Sequence, residues 1–281
     1  MRRPSAFAPA RALALVAAAL AVPAGGCGKG DTQHLLAGNA YFSTGDYAHA
    51  ADEYRAALAK NPASMDGHTL LGKTLFELGD VAGAETELRA AVALDPAATG
   101  ARMALVVILL QRGDRAAARA ECAAILEHDD KSAFARKTLA KFAIAEGDYP
   151  AARRELDRVV ASDPSDVEAL YNRGVLASRA GDEPGALADF EAVRRLAPAE
   201  AFADYGVATV HALAGRRPEA LAALARAVDK GIRDPHGVLE DPAWKGWETI
   251  PEFQALLART GAVAPAAGSA VGPASAAPSH P

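Results

Sequence analysis

Apolar positions along this chain recur at helical rather than strand spacing. Leu71, Leu75 and Leu78 mark one such face, with polar and small residues between them. Gly79-Asp80 follows, a second helical run begins behind it, and Asp95-Pro96 closes that run. Glycine ends a helix where a left-handed residue is required. The Asp behind it caps the next helix by accepting a backbone N–H bond, and the residue before a proline is pushed out of helical conformation. The pattern predicts a helical hairpin.

The hairpin returns at a fixed interval. Gly45, Gly79, Gly113, Gly147, Gly181 and Gly215 stand 34 residues apart, the first five followed by Asp and the last by Arg216. Five residues after each Gly stands Ala (Ala50, Ala84, Ala118, Ala152, Ala186, Ala220), small enough to let the second helix sit close on the first. Four further on comes a large apolar residue or its stand-in: Tyr54, Leu88, Cys122, Leu156, Phe190 and Leu224. Pro150, Pro184 and Pro218 fall in the first turn of later second helices, where a missing N–H costs nothing. Six copies run without insertion: 31–64, 65–98, 99–132, 133–166, 167–200 and 201–234. One hairpin cannot bury its own apolar face, so neighbours must stack.

The spacing of Gly38, Tyr41, Ala50, Tyr54, Ala57 and Pro62 resembles the tetratricopeptide repeat. The second copy repeats it with Leu71, Gly72, Ala84, Leu88, Ala91 and Pro96, and the fifth with Gly174, Ala186, Phe190 and Pro198. There are departures. The Trp favoured early in the first helix is replaced by His34, His68, Arg102, Arg136, Leu170 and Asp204, and the third copy has Val106 for the small residue and Asp130 for the Pro.

The resemblance implies an all-α fold, a right-handed superhelical solenoid of six helix-turn-helix repeats with a C-terminal helical cap. It also implies a concave groove, lined by the first helices, that takes a protein or peptide partner. Projected by repeat phase, that groove carries Asn39, Phe42, Lys73, Phe76, Met103, Val107, Leu110, Lys137, Lys141, Ile144, Tyr171, Asn172, Val175, Phe202 and Tyr205. The mixture is apolar and aromatic with a small basic cluster. Of the carboxylate clamp of chaperone-binding members, only Lys137 and Asn172 are in phase; Phe202 and Gly206 stand at its cationic places, so a true clamp is not expected.

Residues 235–260 leave the repeat pattern. Their Trp244, Trp247 and Phe253 are bulky enough to cover the apolar face that a last repeat leaves open, and a cap is expected there. Residues 261–281 are Ala/Pro/Gly/Ser text without Asp, Glu, Lys or Arg, which cannot bury enough surface to order itself.

The start of the chain reads as an address. Arg2, Arg3 and Arg11 precede an uncharged apolar run, Ala12 to Val22, and small residues lead to Cys27. At 11 residues the run is short of the roughly 17–25 needed to span a bilayer as a helix. Residues 1–26 are expected to be a signal peptide. The Ala24-Gly25-Gly26-Cys27 ending resembles the bacterial lipoprotein signal, which makes Cys27 the lipidated first residue of a short tether, 27–30. Ordinary cleavage near Gly26, giving a soluble periplasmic protein, is the alternative. In enteric lipoproteins Asp behind the Cys retains the protein in the inner membrane; Gly28 stands there instead, so the outer membrane is favoured.

Charge and composition narrow the chemistry. The net charge of −5 becomes −8 once the three arginines of the leader are gone, which argues against nucleic acid. Two cysteines make neither a disulfide framework nor a four-cysteine zinc site. Gly67 to Thr74 spells the phosphate-loop string G-x4-G-K-T, but it falls on a repeat's first helix with no strand before it, so its N–H groups would be tied up. His34 and His68 share one repeat position and read as packing residues, Cys122 as a buried thiol, and Asp52-Glu53, Glu85, Glu87 and Asp129-Asp130 as solvated faces. No catalytic set, metal site or cofactor site is expected. The reading is a non-enzymatic, lipid-tethered, periplasm-facing adaptor in an envelope, pilus or secretion assembly. A chaperone-like receptor for extended peptides is the second reading, and an enzyme the third.

Overall fold

The computed structural model describes residues 31–232 and 235–260; the expected signal peptide, Cys27 with its tether, and the tail 261–281 lie outside them. The described residues fall into two compact units, 31–169 and 170–260. Among them there is no strand.

The first unit contains four helical hairpins. They are α1 (Asp31–Ser43) with α2 (Tyr47–Lys60), α3 (Met65–Glu77) with α4 (Val81–Leu94), α5 (Thr99–Gln111) with α6 (Arg115–His128), and α7 (Ala133–Glu146) with α8 (Tyr149–Ser162). The helix α9 (Val167–Arg179) begins in the first unit and continues in the second, where α10 (Glu183–Leu196), α11 (Ala201–Leu213) and α12 (Arg217–Asp229) follow. The chain then makes a short α13 (Pro235–Glu240), a 3-10 turn over Pro242–Trp244 and α14 (Pro251–Arg259).

The turns form as the spacing requires. All six repeat glycines adopt positive φ, between 71° and 83°. Asp46, Asp80, Asp114, Asp148 and Asp182 each accept the backbone N–H three residues on, whereas Arg216 gives α12 no side-chain cap.

Within each hairpin, volume is matched across the helix pair. The six recurrent alanines are fully buried. Opposite the largest second-helix residues stand glycines: a Cβ on Gly38 would lie 2.5 Å from Tyr54 Cε1, and one on Gly174 3.0 Å from Phe190 Cε1. Where the third repeat has Val106 instead, the partner position shrinks to Cys122, and both are wholly buried in one apolar cluster. Burial raises the Cys122 thiol to about 11.

A side-chain contact to a glutamate ties the two helices of each of the first four hairpins, from a histidine in the first two and as an arginine ion pair in the next two. His34 meets Glu53 at 2.6 Å, His68 meets Glu87 at 2.6 Å, Arg102 meets Glu121 at 2.5 Å and Arg136 meets Glu155 at 2.6 Å. The expectation that the histidines merely pack, and that Glu53 and Glu87 are solvated, is therefore corrected. The position left by the family's Trp is filled by a histidine or an arginine whose nitrogen reaches the facing glutamate. In the sixth repeat the polarity reverses: Asp204, fully buried, takes Arg226 at 2.9 Å and Lys230 at 2.5 Å.

In the second unit, Trp244 and Phe253 are buried against α11 and α12. Their rings stack at 5.2 Å, with Trp247 edge-on to Trp244 at 5.1 Å.

Candidate functional site

In the first unit the helices α1, α3, α5 and α7 carry the residues that repeat phase assigns to the inner face. Burial divides their residues by repeat phase. On α5, Leu105, Val106, Ile108 and Leu109 are buried while Val107 and Leu110 are 37% and 40% exposed. Met103 and, on α3, Phe76 are half-buried. On α1, Phe42 is half-buried edge-on to Tyr47, and the Asn39 carbonyl oxygen accepts the Tyr54 hydroxyl at 2.7 Å. Burial pushes the Tyr54 hydroxyl up to about 12, so it stays a donor. Val107 and Leu110 stand one helical turn apart and so make one exposed apolar patch, the kind of feature that marks a contact surface.

The lysines of this face differ in their surroundings. On α7, Lys137 lies 2.9 Å from both Asp166 and Glu168, and Lys141 lies 2.7 Å from Glu168. Burial alone would lower the Lys137 pKa, but hydrogen bonds with the two carboxylates outweigh it and hold it above its ordinary value. The basic cluster expected here is thus neutralised from within. Lys73 on α3 is half-buried and makes no hydrogen bond or ion pair among the described residues, and burial lowers its pKa. Asp166 and Glu168, which decide which lysines are free, were not among the expected site residues. Their signal was available: Glu168 holds the second position of its repeat, one helical face with the groove positions.

The remaining expected groove residues lie in the second unit. Tyr171 packs edge-on to Phe202 at 5.0 Å and against Phe190 at 5.7 Å, and burial raises its hydroxyl pKa. Asn172, Val175 and Phe202 are half-buried. Tyr205 is buried: its hydroxyl donates to Asp241 at 2.9 Å and accepts from the Trp244 indole at 3.2 Å. It serves the packing of residues 241–244 and does not face solvent, a correction to its place among the groove anchors. Lengthening of the chain past the last repeat supplies both of its partners, which repeat phase alone could not show.

The phosphate-loop string lies on α3, where Gly67 N–H is taken by Ser64 and the rest belongs to the helix. Among the described residues no group of three His, Cys, Asp or Glu is placed to hold a metal ion, and no helix is long and apolar enough to cross a membrane.

Tetratricopeptide-repeat profiles match residues 35–98, 75–137 and 138–201, more than half of the chain. No curated protein sequence matches it. Among solved structures it is similar to PilF of Pseudomonas aeruginosa, with a TM-score of 0.62 and 14% identity, covering 80% of this chain and 97% of that one. It is similar to PilW, a widely conserved type IV pilus biogenesis factor, with a TM-score of 0.59 and 15% identity, covering 82% of this chain and 100% of that one. YrrB, a tetratricopeptide-repeat protein with an unusual peptide-binding site, has a TM-score of 0.56 and 21% identity, covering 64% of this chain and 93% of that one. At these identities the likeness is one of fold.

Proposed function

This chain belongs to the tetratricopeptide repeat family, and we propose that it is a non-enzymatic adaptor of the bacterial envelope, tethered by a lipid on Cys27 and facing the periplasm. The fold is that of a protein-interaction scaffold. The observation that carries the binding surface is the exposure of Val107 and Leu110, one helical turn apart on α5, in a helix that buries Leu105, Val106, Ile108 and Leu109, with Phe76 and Met103 half-buried at the neighbouring positions of the same repeat phase. The address is supported by the basic start, the short apolar run and the small residues before Cys27. An assembly role, in a pilus or secretion apparatus of the outer membrane, is supported by the likeness in fold to PilF and PilW. The lipid would hold the scaffold at a membrane while leaving its repeats free for partners.

Two measurements on the full chain test this. Cys27→Ser should abolish labelling by a fatty-acid analogue and release the protein to the soluble periplasm; unchanged labelling refutes the tether. Immunoprecipitation of the tagged protein from its own envelope should recover a defined set of subunits, lost when Val107 and Leu110 are both replaced by Asp. Recovery of unrelated unfolded chains instead would favour the peptide receptor, and recovery indifferent to both substitutions would move the interface off this face.

A further inference from the structure

The repeat itself shows what Lys73 lacks. Lys141 occupies the ninth position of the fourth repeat, and its ammonium meets Glu168, the second residue of the fifth. Lys73 occupies the same ninth position in the second repeat, so its counterpart is the second residue of the third, which is Gly100. The geometry agrees with the register: a Cβ built on Gly100 would lie 3.9 Å from Lys73 Nζ, with nothing else within 4 Å. One junction holds lysine and glutamate; the other holds the lysine and an open, exposed place where the carboxylate would be.

An unpaired ammonium half-withdrawn from water is costly, and a fold that needed only solubility would leave it exposed or pair it. By repeat phase the same face carries apolar groups that would shield an incoming partner from solvent: Phe76 one turn on along its own helix, and Met103 and Val107 on α5, none of them fully buried. Ala98 leads α5 without a side-chain acceptor for the helix's first N–H groups, so the surroundings of Gly100 favour negative charge further.

We propose that the inner face of the first three repeats binds an extended segment of a partner protein through an internal Asp or Glu side chain. That carboxylate sits over Gly100 on the Lys73 ammonium, and apolar neighbours of the acidic residue lie on Phe76, Met103 and Val107. The proposal rests on the inner face being the binding surface and adds the chemistry of what it takes. The α7 lysines are excluded as the anchor because Asp166 and Glu168 already hold them.

The test pans a phage-displayed library of random nonapeptides, fused so that their C-termini are blocked, against the full chain. The enriched peptides are then measured by fluorescence anisotropy beside their Glu→Gln counterparts. Sequences with one acidic residue between apolar ones should be selected, and Gln should weaken binding about tenfold. Lys73→Met should remove that preference. Gly100→Glu should remove it too, by supplying the missing carboxylate from within, and should leave the fold intact because Glu suits a helix's first turn. Peptides that bind alike with Glu or Gln, and respond to Phe76→Ala but not to Lys73→Met, overturn the carboxylate while the inner-face reading stands. Binding only by peptides with a free C-terminus overturns the internal acidic residue. Failure to select any peptide overturns the proposal together with the inner-face reading.

Discussion

The pairing of glycine with Tyr54 in the first hairpin can be broken and restored. A methyl group on Gly38 would lie 2.5, 2.7 and 2.9 Å from Cε1, Cδ1 and Cζ of the Tyr54 ring, against about 3.5–4.0 Å for carbon atoms in contact. The ring cannot yield easily, being wholly buried with its hydroxyl held by Asn39. Overpacking of this kind costs about 1–3 kcal/mol, and disturbing the hydroxyl bond about 1 kcal/mol more. Replacing a helical glycine with alanine returns about 1 kcal/mol. Gly38→Ala is therefore expected to lose about 1–3 kcal/mol. Gly72→Ala is the control. Its methyl would lie 2.7 Å from Leu88 Cγ and 3.1 Å from the Ala84 carbonyl oxygen, but a leucine side chain can move, the carbonyl needs to give only a few tenths of an ångström, and the Ala-Leu combination it creates stands in the same register at Ala140 with Leu156 and Ala208 with Leu224. That variant should stay within about 0.5 kcal/mol of the parent. Adding Tyr54→Leu to Gly38→Ala makes the same pair, so the double variant should be more stable than the sum of single effects by about 1 kcal/mol. Stacked repeats need not unfold in one step. The assay is accordingly hydrogen exchange of α1 and α2 across a urea series, with circular dichroism for the whole chain. Equal stability of the two alanine variants, or no coupling between positions 38 and 54, would refute the volume-matching argument.

Two further outcomes follow from the ion pairs. The His68 ring faces two acceptors, Glu87 at 2.6 Å and the Pro62 carbonyl at 3.0 Å, the places that Arg102 and Arg136 serve with guanidinium groups in the next repeats. A guanidinium offers five N–H donors in a fixed fork where an imidazole has only two ring nitrogens, so His68→Arg, which places here the residue that the next two repeats carry, should stabilise the fold by about 1 kcal/mol; chemical denaturation showing a loss of stability would refute it. In the sixth repeat, burial raises the Asp204 pKa but hydrogen bonds from Lys230 and Arg226 outweigh it, so the folded-state value lies below that of an ordinary carboxylate. The stabilisation from this group is then complete above the unfolded value near 4 and is lost as pH falls through the lower folded one. Asp204→Asn should cost on the order of 2 kcal/mol at pH 7, less than a fully enclosed pair because Arg226 and Lys230 are partly solvated. Chemical denaturation should show that gap closing below pH 4, and a gap independent of pH would refute the assignment.

What could be read from the sequence was whatever the repeat forces on every copy. The turn glycines, the capping aspartates and the buried alanines recur because each solves a backbone or close-packing problem that arises once per 34 residues. Exceptions were legible as substitutions but not as solutions. Val106 looks like a loosened repeat until Cys122 is seen opposite it, and His34 and His68 look like filler until Glu53 and Glu87 are seen to face them. The same limit governs the site. Repeat phase places Lys73, Lys137 and Lys141 on one kind of surface, and on that ground alone they are equivalent. What separates them is the residue presented by the following repeat: Asp166 and Glu168 in one case, Gly100 in the other. Function in such a chain is written in differences between copies at a fixed register. The glycine in the column that elsewhere holds Glu168 is therefore as informative about a partner as any charged residue on the face.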